Sequence, residues 1–113
     1  MENCIFCKII KGVIPSTKLY EDDNMIIIKD ISAQAKVHLL LIPKEHYANI
    51  LEMTEEQAAT LAKCIKKLST LTDNLGLTEG FRLVSNKGAY GCQSVEHLHI
   101  HILGGEQLSP QMC

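Results

Sequence analysis

The segment His97-Leu98-His99-Ile100-His101-Ile102-Leu103 alternates imidazole with aliphatic side chains. Extended backbone sends successive side chains to opposite faces, so this alternation collects the imidazoles on one face and leaves the aliphatics for a core on the other. Neutral imidazole is a nucleophile, a proton carrier and a metal ligand near pH 7. Same-face neighbours on a strand lie roughly 6.6 Å apart, which separates His97 from His101 by roughly 13 Å, too far to share one metal. An adjacent His-x-His pair can chelate a metal, but the remaining histidine is then left over. A row of distinct tasks suits the spacing better. Cys4-x-x-Cys7 places two thiols at metal-ligand spacing; two cysteines on a helix are equally plain core, and a tetrahedral zinc needs two further ligands. Asp30 follows the apolar run Met25 to Ile28 and Lys29. A carboxylate there can accept from both hydroxyls of a ribose, or simply close a turn. Gln93 and Ser94 stand between a glycine-containing loop and the histidines, as anion donors or as ordinary loop polarity.

These residues must be positioned by regular elements. Cys4 to Lys11 carries Ile5, Phe6, Ile9 and Ile10 at helical spacing and stops at Gly12, which predicts a short helix. Lys18 to Glu21, Met25 to Ile28, Val37 to Ile42 and Phe81 to Ser85 read as strands, with Asp22-Asp23-Asn24 as a turn and Pro43 as a terminator. Val95 to Leu103 reads as the last strand, ended by Gly104-Gly105. Thr54 to Leu75 reads as one long helix, with an apolar face of Ala58, Leu61, Ala62, Ile65, Leu68 and Leu75. Thr54 with Gln57 makes a capping box, and Gly76 is the stop. Cys64 lies near the apolar face and reads as core. Strands flanking one long helix, with a short helix first, predict an α+β fold with a mainly antiparallel sheet.

The chain has 113 residues, which suits one compact domain over 1–113. A hydrophobic content of 46% and a charged content of 21% describe an ordinary globule. A net charge of −2 and the lack of a basic stripe argue against nucleic acid as partner. The longest apolar run, Val37 to Pro43, is interrupted by His38 and is far short of a membrane span. The N-terminus has no basic region leading into an apolar stretch, which argues against a secretory leader. Five cysteines, an odd number with one close pair, fit a reducing cytoplasm better than a disulfide framework.

The chain resembles the histidine triad family, in its nucleoside phosphoramidase branch. His97-Leu-His-Ile-His-Ile-Leu matches the pattern His-φ-His-φ-His-φ-φ, with φ apolar. Phe6-Cys-Lys-Ile-Ile, Ile14-Pro15, Asp30-Ile31, His38-Leu-Leu-Leu-Ile-Pro-Lys-Glu-His46, Asn86 and Gln93-Ser94-Val95 extend the likeness over nearly the whole chain. The resemblance implies an α+β homodimer whose two sheets join. It implies cleavage of a purine nucleoside monophosphate from a phosphoramidate, acyl-phosphate or polyphosphate leaving group. His99 would attack the α-phosphorus, and its other nitrogen would donate to a backbone carbonyl of its own strand. His101, Asn86, Gln93 and Ser94 would stabilise the phosphoryl group, Ser94 near the leaving group, with His38 assisting protonation around His101. Phe6, Ile9, Ile14, Ile28, Ile31 and Leu40 would form the base slot; Ile28 replaces what is often an aromatic. Zinc-bearing members add His46 and His97 to a cysteine pair like Cys4 and Cys7, which implies a structural zinc. Cys92 stands where relatives often have glycine. The segment Glu106 to Cys113 lacks the tryptophan that some relatives set beside the substrate. Three alternatives remain open at the level of sequence: a dinucleoside polyphosphate hydrolase, a non-catalytic nucleotide-binding scaffold dimer, and a metalloenzyme ligated by His97 and His99.

Overall fold

The computed structural model of the chain describes residues 3–111, so Cys113 lies outside the described residues. Helix α1 (Ile5–Ile10) is followed by strands β1 (Lys18–Glu21), β2 (Met25–Lys29) and β3 (Val37–Pro43). Helix α2 (Glu55–Lys67), a single 3₁₀ turn (Leu68–Thr70) and helix α3 (Thr72–Leu75) come next. Strands β4 (Phe81–Ser85) and β5 (Ile100–Gly104) close the fold. The strands form one five-stranded antiparallel sheet in the order β1-β2-β3-β5-β4. The fold is α+β, as the alternation of elements implies.

The two central strands are apolar along nearly their whole length because both sheet faces are covered. On one face Met25, Ile27, Leu39, Leu41, Leu98, Ile100 and Ile102 pack with Leu61, Cys64 and Leu68 of the long helical segment. On the other, Ile26, Ile28, Leu40 and Ile42 pack with Phe6 and Ile9 of α1. Burying each such side chain stabilises the fold by about 1.5–3 kcal/mol. The α1 face is the one that carries the histidines.

Thr54 caps α2 as expected: its hydroxyl accepts the Gln57 N–H at 3.1 Å, and the Gln57 carboxamide oxygen accepts the Thr54 N–H at 2.9 Å. Two expectations require correction. The helix does not run unbroken to Leu75. The Thr70 hydroxyl donates back to the Lys67 carbonyl at 2.9 Å, a side-chain bond that competes with the helical ladder where Ser69, Thr70 and Thr72 cluster. The buried stripe is also narrower than the periodicity suggests, since Ala62 and Ile65 are exposed. Gly76 does end the segment, in a left-handed conformation with φ 76°.

The last strand begins at Ile100, not at Val95. β3 ends at Pro43 and β4 at Ser85, so residues 95–99 have no regular ladder beside them. Leu98 is held instead by donating its N–H to the Tyr47 carbonyl at 2.7 Å. The alternation survives without the strand: Leu98, Ile100 and Ile102 enter the helix-side core, and the three imidazoles turn the other way.

Candidate active site

His99 is buried, with its ring 4.9 Å from Phe6 and 5.2 Å from His101 between centroids. Its Nδ1 donates to the His97 carbonyl at 2.8 Å. A carbonyl only accepts, so the proton of the neutral ring sits on Nδ1 and Nε2 carries the free lone pair. That is the form of imidazole able to attack an electrophile.

His101 belongs to β5 and pairs with Leu40 of β3, which brings it beside His38. His38 Nε2 and His101 Nδ1 lie 2.9 Å apart. Burial, more than the neighbouring His99 and His38, holds the His101 imidazole below its ordinary value and so keeps it neutral. Asp30 follows β2 and turns back on this pair. Its Oδ2 is 3.3 Å from His38 Nε2 and 3.8 Å from His101 Nδ1, while Oδ1 accepts the Ser32 N–H at 2.8 Å.

Asp30, His38 and His101 lie close enough together to enclose a metal. The tautomer of His38 argues against that use. Its Nδ1 accepts the Gln34 backbone N–H at 2.9 Å, which puts the proton of neutral His38 on Nε2, the nitrogen that would have to ligate.

The slot residues Phe6, Ile9, Ile28 and Leu40 form one buried apolar cluster, with Ile14 packed against it. Ile31 is not in that cluster, because its side chain points fully into solvent. Asn86 is half-buried and follows the end of β4; one further step of the β4–β5 register sets it beside His99. Gln93 is placed differently from expectation. Its carboxamide nitrogen donates to the carbonyls of Ala48 at 2.6 Å and Val95 at 3.0 Å, and its oxygen accepts the Gly88 N–H at 3.2 Å. With both N–H bonds occupied it braces the loop and has no donor left for a phosphoryl oxygen. Ser94 is exposed and lines a depression with Cys4, Ile5, His46 and Glu96. Cys92 adopts φ 59°, the left-handed region that glycine enters without cost, which agrees with the glycine expected there.

The second cluster joins Cys4 and Cys7 of the α1 region, His46 after β3, and His97. Cys4 Sγ and His97 Nδ1 are 3.3 Å apart, as are Cys7 Sγ and His46 Nδ1. Cys7 Sγ and His97 Nδ1 are 3.6 Å apart, and the two Nδ1 atoms 3.1 Å apart. Metal–sulfur bonds of about 2.3 Å and metal–nitrogen bonds of about 2.0 Å in a tetrahedron require edges of about 3.3–3.7 Å, which these match. His97 Nε2 donates to the Pro43 carbonyl at 2.8 Å, which turns the Nδ1 lone pair into the cluster, as a ligating imidazole requires. Burial pushes the Cys7 thiol up and the His97 imidazole down. The four residues can therefore hold a metal ion.

Sequence reasoning missed Gln34, Pro43 and Tyr47. Each acts through its main chain, as the amide or carbonyl that fixes a histidine or its neighbour, and side-chain type carries no signal for that.

Residues 11–108 match the HIT domain family. A HIT family hydrolase from Clostridium thermocellum superposes with a TM-score of 0.93 at 46% identity, covering 100% of this chain and 99% of that one. The 14 kDa zinc-binding protein of Brassica juncea is 42% identical over 93% of this chain and 95% of its own. Adenylylsulfatase HINT1 of Arabidopsis thaliana is 41% identical over 93% of this chain and 73% of its own. No helix among the described residues is long and apolar enough to cross a membrane. With the alternating imidazoles, the five-stranded sheet and these relatives in agreement, the chain belongs to the histidine triad (HIT) domain family.

Proposed function

We propose that the chain is a nucleotide-binding hydrolase or transferase that releases a purine nucleoside monophosphate from a phosphoramidate, acyl-phosphate or polyphosphate leaving group. The observation that carries this reading is the 2.8 Å hydrogen bond from His99 Nδ1 to the His97 carbonyl, which leaves Nε2 unprotonated for attack. Nε2 bonds to the α-phosphorus as the bond to the leaving group breaks, and the leaving group departs with a proton. Water, or another acceptor, then displaces His99 from the nucleotidyl-histidine. His101 and Asn86 stabilise charge on the phosphoryl oxygens, with Ser94 near the leaving group. Asp30 binds the ribose. The slot of Phe6, Ile9, Ile14, Ile28 and Leu40 takes the base, with exposed Ile31 at its margin.

Cys4, Cys7, His46 and His97 would hold a zinc ion of structural role; four protein ligands leave it no open position. The two relatives named above as a zinc-binding protein and an adenylylsulfatase support both halves of the reading. A cytoplasmic homodimer completes it, with neither nucleic acid nor membrane as partner. The edge strand β4, bearing a part-exposed Phe81, offers a place for two sheets to join.

The test is replacement of His99. His99→Ala should abolish release of nucleoside monophosphate from adenosine 5′-phosphoramidate while retaining nucleotide binding. The wild type should carry an acid-labile, base-stable adenylyl label. Appreciable turnover by His99→Ala would refute the mechanism.

A further inference from the structure

Asp30 and His38 are connected in a way that the ribose-binding role does not require. The Gln34 amide can only donate, so His38 Nδ1 is fixed as an acceptor and the His38 proton lies on Nε2. Two acceptors compete for that proton: His101 Nδ1 at 2.9 Å and Asp30 Oδ2 at 3.3 Å. When His101 Nδ1 accepts it, the proton of His101 itself sits on Nε2, at the other end of the ring. The backbone thus imposes one direction on a chain that runs from the Gln34 N–H through His38 to His101 and outward from His101 Nε2–H.

Charge assistance makes a carboxylate oxygen a strong competitor for an N–H while nothing else engages it. A ribose hydroxyl donating to Oδ2 weakens that competition. We propose that Asp30 couples sugar recognition to phosphoryl recognition: a ribose hydroxyl on Oδ2 directs the His38 proton to His101 and makes His101 Nε2–H a stronger donor to the phosphoryl group. Hydrogen bonds in series polarise one another, and a site of low dielectric magnifies the effect. The side chains of His38 and Asp30 are only 4% and 16% exposed, so water competes little. The titratable groups around His101 are His38, Asp30 and His99, and its cross-strand neighbours Leu40 and Val84 are apolar. His38 is a positioning residue in this arrangement, and Asp30 determines specificity in turnover as well as in binding. The inference rests on the nucleotide reading of the site.

The test uses the whole protein with adenosine, which has the diol and no phosphate, and 2′,3′-dideoxyadenosine, which has neither. Side-chain ¹⁵N resonances of His38 and His101 are the readout. Adenosine should move the Nδ1 and Nε2–H signals of His101, and the dideoxy compound should bind without moving them. In turnover, removing the hydroxyls should lower kcat roughly two- to fivefold as well as raise KM. In Asp30→Asn the same removal should raise KM alone. Adenosine binding that leaves the His101 signals unmoved overturns the coupling and leaves the nucleotide reading intact, as does a hydroxyl effect on kcat that persists in Asp30→Asn. Failure of adenosine, guanosine and their monophosphates to bind at all overturns both.

Discussion

Gln93 ties together parts of the chain that are far apart in sequence, bonding to Ala48 beyond β3, to Gly88 in the loop after β4 and to Val95 before the histidines. Gln93→Ala leaves two carbonyls without their donor in a half-buried place, at a cost of about 1–3 kcal/mol. Urea unfolding should register that loss, and KM should rise because Ser94 is no longer held beside the histidine segment. A change below about 0.5 kcal/mol would mean that water replaces the carboxamide without penalty. At this scale the sequence was informative about side chains and silent about main chains. Cys4, Cys7, His46 and His97 converge as their types suggest, and so do Asp30, His38 and His101. The carbonyl beneath His99 belongs to the expected segment. The amide beneath His38 comes from Gln34, a residue whose own side chain does something else: its carboxamide donates to the Ser32 carbonyl.

The elements were legible where apolar periodicity and capping chemistry agree, as in β2, β3 and the start of α2. They were illegible where a local side-chain bond or the lack of a neighbour decides the outcome. Thr70 breaks the helix by bonding backwards, and residues 95–99 stay out of the sheet because no strand flanks them, although their alternation is that of a strand. The loop from Gly88 to Gln93 shows a further case. Its two ends close through the Gln93 N–H to the Gly88 carbonyl at 3.1 Å, and the Cys92 N–H bonds to the Ala89 carbonyl at 3.1 Å. This turn forces Cys92 to φ 59°. At Gly91 an added Cβ would meet the Lys87 carbonyl oxygen at 2.6 Å, so that glycine is required by space. Left-handed backbone costs a residue with a Cβ about 1–2 kcal/mol, and glycine's greater freedom when unfolded offsets part of the relief. Cys92→Gly should therefore raise stability by up to about 1 kcal/mol, read as a higher urea midpoint with unchanged slope. A lower midpoint would show that the exposed thiol makes a stabilising contact that outweighs the strain.

Considered as a whole, the molecule has a sheet with one face closed by α2 and the other by α1, and α1 is only six residues long. So short a helix has little stability of its own. The cysteine–histidine cluster fastens it to the loop after β3 and to the histidine segment. Cys4→Ser with Cys7→Ser should lose the metal and melt several degrees lower, at about 4–8 °C per kcal/mol for a chain of this size. The folded fraction should still form the His99 adduct, because Leu98 remains tied to Tyr47 and the carbonyl of residue 97 stays in place. Elemental analysis of chelator-free protein is the first check, and well under one zinc per chain would return Cys4 and Cys7 to the core. The order of the ligands along the chain also sets a timetable for biosynthesis. Cys7 meets His97 across 90 residues, so the first helix to leave the ribosome is among the last parts to be locked. Until residue 97 emerges, two nascent thiols stand unclaimed, open to oxidation or to capture by the wrong cation. The cell's reducing power and its supply of metal during translation would then decide how much of the newly made protein becomes complete.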